Sequence, residues 1–339
     1  APLGEKDAAT RRAIRRALAK AGLRASGARA YDAVLESPDF AALSLLVRVD
    51  VLRAMGEGVA KSKAAPAAFA KTASEASAFR ERYLLLGPAA ELAKVGDGEA
   101  AKFLAAALAP TSDAHLRARA AELGGGVAAL HRIVTSVVDD PEMRVRSAAL
   151  AALASGGPLE KETALRALVR LETDGWTAVR LAAASAIRFA PPGDPVDARI
   201  GAAIDHEASP VVRGEMLRSL GERGARGQSA IVLERAGDDR EAIDVRVAAI
   251  SALGQMCDAT SVPALGELAL RGRAPVYEAD RKLAAAAMLS LARIEPADLD
   301  QRLAPLVAAD VPGDVRDLAK AALSKRGGCK PAPSRPSRP

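Results

Sequence analysis

Apolar residues return along this chain with two nested periods. Within short stretches they recur every three or four positions, as at Leu165, Leu168, Val169 and Leu171, which is the spacing of one face of an α-helix. Across the chain a longer unit repeats. Its clearest copy is Ile243–Gly254, IDVRVAAISALG, which has an acid in its first turn, then Val-Arg, then small and aliphatic residues closing on Leu-Gly. Measured on the Arg, copies stand at Arg146, Arg180, Arg213, Arg246 and Arg316, with steps of 34, 33, 33 and 70 residues. The last step is two periods, and the intervening copy falls at Arg281-Lys282, where the Val-Arg pair is lost. An apolar residue follows seven positions after each ruler residue: Leu153, Ile187, Leu220, Leu253, Leu289 and Leu323. Weaker copies lie at Val47-Arg48, Phe79-Arg80 and Leu116-Arg117, with a marginal one at Arg12. A fixed period of this length predicts a solenoid of stacked helix pairs.

The second helix of each pair is read from the apolar spacing between Val-Arg copies: Gly126–Val138, Lys161–Glu172, Asp197–Asp205, Gln228–Ala236, Ser261–Leu270 and Asp298–Ala308. Gly156-Gly157-Pro158, Pro191-Pro192-Gly193, Asp238-Asp239 and Pro312-Gly313 punctuate the pairs, supplying caps and first-turn prolines. Residues 57–78, rich in Ala, Lys and Ser, read as a longer connection. From 327 to 339 the sequence GCKPAPSRPSRP and its preceding Gly have no periodicity and are expected to form a disordered tail. The expected fold is all-α: nine to ten helix pairs over residues 1–326, strongest over 139–323 and weaker over 10–138.

Composition agrees. The chain is 50% hydrophobic and 27% charged, enough apolar residue for a large core. Only nine residues are aromatic, while Ala, the best helix former, is abundant. The formal net charge of +6 is unevenly placed. Residues 1–30 carry +6 and residues 324–339 carry +5, which leaves the body at −5. The basicity is terminal, which argues against a body-wide phosphate-binding groove.

The acid, turn, Val-Arg, Ala-Ala, Leu-Gly frame resembles the HEAT repeat in its bacterial phycobilin-lyase-like form, well over 139–323 and loosely over 10–138. The resemblance implies a ladder in which turn acids and Val-Arg arginines tie neighbouring repeats together. Its members here would be Asp139 or Asp140 with Arg146, Asp174 with Arg180, Arg213, Asp239 or Asp244 with Arg246, and Asp314 with Arg316. It also implies the usual work of that family, which is binding other proteins.

Candidate chemistry is sparse. Gly96-Asp97-Gly98-Glu99-Ala100-Ala101 matches a dinucleotide fingerprint, but a helix end precedes it where a strand is required, so it reads as an inter-helix turn. His206-Glu207 begins like a zinc-protease motif, but Pro210 stands where the second His is needed. His115, His131 and His206 have no companions at metal-ligand spacing, so no metal or cofactor is expected. Cys257 reads as a small core residue and Cys329 as an exposed thiol in the tail. Trp176 is expected to pack at a repeat junction. With no nucleophile motif or phosphate loop, the reading is a non-enzymatic scaffold that binds a protein along one face. The candidate surface is formed by second-row side chains Arg132, Arg166, Arg170, Arg199, Glu234, Arg235, Glu267, Arg271 and Arg302. The alternatives are a nucleic-acid-binding HEAT-like protein and an accessory of a lyase-type enzyme. A chain starting at Ala1 leans towards an extracytoplasmic site after signal removal, with the cytoplasm open as well.

Overall fold

The computed structural model describes residues 27–329 apart from residue 156. The basic N-terminal segment, the marginal copy at Arg12 and the tail beyond 329 lie outside the described residues. Among those described, every regular element is helical. In chain order they are α1 (Gly27–Leu35), α2 (Pro38–Ala42), α3 (Leu45–Met55), α4 (Ala65–Glu75), α5 (Phe79–Lys94), α6 (Gly98–Ala107), α7 (Ala114–Gly124), α8 (His131–Ser136), α9 (Met143–Ser155), α10 (Lys161–Thr173), α11 (Thr177–Ile187), α12 (Asp194–Ile204), α13 (Pro210–Glu222), α14 (Ser229–Gly237), α15 (Ile243–Met256), α16 (Val262–Leu270), α17 (Glu278–Ile294), α18 (Leu299–Leu303) and α19 (Gly313–Ser324). The fold is an all-α solenoid of helix pairs, and the chain divides between Gly157 and Pro158 into two compact units.

The Val-Arg helices form a row within each unit: α3, α5, α7 and α9 in the first, and α11, α13, α15, α17 and α19 in the second. Each row exists because its Val side chains are buried one after another, at Val47 and Val145 in the first and at Val179, Val212, Val245 and Val315 in the second. Each such burial is worth roughly 1.5–3 kcal/mol. Small residues let neighbouring helices of the row come close. A β-carbon added to Gly221 would lie 2.7 Å from the Ala252 Cα, and one on Gly254 would lie 2.9 Å from the Ser290 Cα. Buried hydroxyls tie the same helices together: Ser219 donates to the Ala184 carbonyl at 2.6 Å and Ser290 to the Ile250 carbonyl at 2.9 Å.

Two expectations are corrected. Residues 57–78 are not a plain connection, because Ala65–Glu75 forms α4 on a buried stripe of Ala65, Phe69 and Thr72. The repeat at Arg281 is in register on Arg281 itself: Met288, seven residues on, is buried, while Leu289 is 55% exposed. The stretch Gly96–Ala101 is the turn from α5 into α6, as expected: the chain passes through Gly96 at φ 96° and the Asp97 carboxylate accepts the Ala100 N–H at 2.7 Å at the start of α6. Among the described residues, no helix is long and apolar enough to cross a membrane.

Candidate functional site

The turns between paired helices carry acids, and each acid first organises its own turn. Asp140 accepts the Glu142 N–H at 2.9 Å, Asp174 the Trp176 N–H at 3.0 Å, and Glu207 the Ser209 N–H at 2.7 Å. The next Val-Arg helix starts there, and its Arg reaches back to a carbonyl of the same turn. Arg146 donates to the Asp140 carbonyl at 2.8 Å, Arg180 to that of Asp174 at 2.9 Å, and Arg213 to that of Glu207 at 2.6 Å. The other edge of the guanidinium points forward to the following turn. Arg180 grips Glu207 through Nε at 2.6 Å and Nη2 at 2.9 Å, and Arg213 grips Glu241 at 2.9 and 2.6 Å. In the first unit, Arg117 holds Asp140 at 2.8 and 3.0 Å, and Arg48 pairs with Glu75.

Planar two-point pairing of this kind is the strong form of an arginine–carboxylate contact. Burial alone would push the Glu207 carboxyl up, but Arg180, the Ser209 N–H and Arg213 hold it below its ordinary value. Glu241 is lowered in the same way, by Arg213 and the Ala242 N–H against the effect of burial.

The ladder thus differs in detail from the one the resemblance implies. Arg180 takes Asp174 by its main chain and its carboxylate partner from the next repeat. Arg246 pairs with Asp239 at 2.7 Å, whereas Asp244 is an exposed first-turn residue. Asp314 pairs with Arg281 at 2.8 Å, and Arg316 donates to the Ala309 carbonyl at 3.2 Å.

The second-row residues are drawn into a parallel, more exposed set of pairs. Arg199 binds Glu172 at 2.7 Å, Arg235 binds Asp205 at 2.7 Å, and Arg271 lies 3.6 Å from Asp239, each joining neighbouring pairs of helices. Arg166 pairs with Glu162, Arg170 lies 3.8 Å from Asp174, and Arg302 pairs with Asp298, each within four residues; Glu234 lies 3.5 Å from Arg235. Arg132 and Glu267 are exposed. Most of these charges are therefore neutralised locally.

Sequence reasoning missed the apolar part of the turn edge. Trp176 is not packed at a junction: it is the N-cap residue of α11 and 56% exposed. Tyr277 is the N-cap residue of α17 and 71% exposed. Each stands four residues before the ladder position of its helix, Arg180 or Arg281, so the repeat puts both on the same edge. Val211, at the start of α13, and Val276 add exposed apolar surface. The shared four-residue offset was the available signal. Beside this edge a cleft of about 420 Å³ opens between α10 and α12, floored by Leu171, Ala203 and Met216 and rimmed by Arg180, Arg199 and His206. Among the described residues, no group of three or more His, Cys, Asp or Glu side chains is placed to hold a metal ion.

Both cysteine expectations are corrected as well. Cys257 and Cys329 form a disulfide, their Cα atoms 5.5 Å apart.

Comparison with known proteins adds the following. Residues 198–284 match the family described as HEAT repeats. The structure of human deoxyhypusine hydroxylase in complex with glycerol is similar at 18% identity, covering 82% of this chain and 96% of that one, with a TM-score of 0.34. An engineered protein is similar at 16% identity, covering 95% of this chain and 96% of that one, with a TM-score of 0.44. A search of curated proteins found no match. With its Val-Arg helices, its turn-acid ladder and the match over residues 198–284, the chain is a protein that carries HEAT repeats.

Proposed function

We propose that this chain is a non-enzymatic protein-binding scaffold that holds its partner along the turn edge of residues 158–329. The observation that supports this reading is the placement of Trp176 and Tyr277 at equivalent helix starts, both more than half exposed. Large aromatics left in solvent at a repeated position carry no stability argument, whereas such residues are enriched at the centres of protein interfaces. The flanking charges suit the same use. They are mixed and paired, and a partner with varied charges fits such a rim better than a uniformly negative duplex does.

The test is a photo-crosslinker placed at position 176 in the full chain, followed by comparison with a Trp176→Ala, Tyr277→Ala double variant. The expected result is one dominant crosslinked protein whose capture falls at least tenfold in the double variant, with the melting temperature unchanged. DNA binding that survives removal of residues 1–30 and 324–339, with no protein crosslinked, overturns the reading.

A further inference from the structure

Helix α15 ends at a position that asks for glycine. Cys257 has φ 55°, in the left-handed region. The bonds around it, Cys257 N–H to the Gly254 carbonyl and Asp258 N–H to the Leu253 carbonyl, repeat those at the end of α13, where Gly224 fills the same place at φ 64°. They also repeat those at the end of α5, where Gly96 does so at φ 96°. A side chain at this position is disfavoured because its β-carbon crowds the backbone. Cys257 carries one, and its sulfur is bonded to Cys329.

The segment that brings Cys329 there has little else to hold it. After α19 ends at Ser324, the chain turns back across the end of α17, where the Gly327 N–H donates to the Ala292 carbonyl at 2.9 Å. Arg326 pairs with Asp300 at 2.8 and 3.0 Å, and Gly328 lies against Arg293. Residues 324–328 are all exposed and none carries a large apolar side chain. Apart from bonds back to the end of α19 itself, from Ser324, Lys325 and Arg326, one main-chain hydrogen bond and one surface ion pair hold these five residues to the rest of the unit, too little against their conformational entropy. The covalent bond is therefore what keeps the segment down, and both cysteines are only half-buried, within reach of a small thiol.

We propose that the Cys257–Cys329 bond is a thiol-operated strap, which fastens residues 325–329 across the C-terminal ends of α15 and α17 and frees them on reduction. A thiolate of a dithiol reductant attacks one sulfur and displaces the other as a thiolate, giving a mixed disulfide. The reductant's second thiol then displaces the remaining cysteine. Two electrons and two protons pass to the protein, both cysteines become thiols, and the reductant becomes its own disulfide. Release uncovers the two helix ends and frees residues 325–329. The strapped form belongs to an oxidising surrounding. The strap does not depend on the partner-binding reading.

The test is limited trypsin digestion of the folded full chain with and without dithiothreitol, with fragments identified by mass after alkylation. The expected result is cleavage after Lys325 and Arg326 at least tenfold faster in the reductant, with cleavage at Arg218 and Arg246, away from the strap, unchanged. Cys329→Ser and Cys257→Gly should both be cleaved at the fast rate with or without reductant, and Cys257→Gly should melt no lower than Cys329→Ser. Three results each overturn the proposal: both cysteines alkylated without reduction, cleavage of the tail indifferent to reductant, or cleavage rising equally throughout the second unit. The last would make the bond a staple of the whole unit and not a strap.

Discussion

Arg180 and Glu207 lie 27 residues apart in sequence and meet in a two-point contact at 2.6 and 2.9 Å, with only 5% of the Glu207 side chain exposed. The contact joins the start of one Val-Arg helix to the turn before the next, so it fixes the spacing of the two repeats as well as pairing two charges. Removing one member leaves the other buried without its partner. Arg180→Ala is expected to destabilise by about 3 kcal/mol, the scale for breaking a buried pair. Arg166→Ala, which removes an i,i+4 pair with an exposed Glu162, should stay within about 0.5 kcal/mol. Urea titration of both variants checks the difference, and equal midpoints would show that the ladder is only surface decoration.

The same contacts set an acid limit. Glu207 and Glu241 have folded-state pKa values below their ordinary ones. Their charged forms therefore stabilise the fold above the ordinary carboxylate range, about pH 4.3, and that stability is lost as pH falls through the lowered values. The melting temperature of the wild type should drop steeply below about pH 4. The drop should be shallower in Arg180→Ala, which has already lost one pair. Parallel melting curves from pH 6 to 3 decide this.

Close packing in the Val-Arg row gives a pair of glycine predictions with opposite signs. At Gly221 an added methyl would lie 2.7 Å from the Ala252 backbone, which cannot move aside as a flexible side chain can. Gly221→Ala should cost about 1–3 kcal/mol. Gly237 closes α14 with nothing within 4 Å and no left-handed φ, so Gly237→Ala should stabilise by about 0.4–1 kcal/mol through the unfolded chain. Chemical denaturation of the two single variants tests both signs together.

The legible part of this fold was whatever repeats inside one helix. The Val-Arg spacing located the core of the row because a Val buried at one copy is buried at the others. The ladder partners were less legible, because the carboxylates held by Arg48, Arg117, Arg180 and Arg213 belong to the following turn, 23 to 28 residues away. Sequence neighbourhood favoured Asp174 for Arg180, and the structure brings Glu207. Helix α4 was obscured by its composition, since a stripe made of Ala65, Phe69 and Thr72 has only one large apolar residue. Trp176 was misplaced because an aromatic beside a helix start was expected to pack, while the turn there is already closed by Asp174. The disulfide had no local signal at all: its cysteines are 72 residues apart, and only the path of the chain after α19 unites them.

The ladder also has a break, and it predicts a gain. Arg246 is 3% exposed; its Nε donates to the Ala236 carbonyl at 3.1 Å and its Nη1 pairs with Asp239 at 2.7 Å. Its Nη2 is buried without a hydrogen-bond partner. In the two preceding repeats that atom takes a carboxylate 27 or 28 residues on, Glu207 for Arg180 and Glu241 for Arg213. Counting the same distance from Arg246 gives Arg273 and Ala274, in the repeat whose Val-Arg pair is lost. Ala274 is exposed, so a larger side chain there displaces no core. Ala274→Glu is expected to supply the missing carboxylate and to stabilise by about 1.5 kcal/mol, the lower end for a hydrogen bond to a charged group. Two controls isolate the effect. Gln301→Glu adds the same charge at another exposed site and should change nothing, and Ala274→Glu in an Arg246→Gln background should lose most of its gain. If the gain persists without Arg246, the new glutamate acts by general charge and the ladder does not extend to the Arg281 repeat.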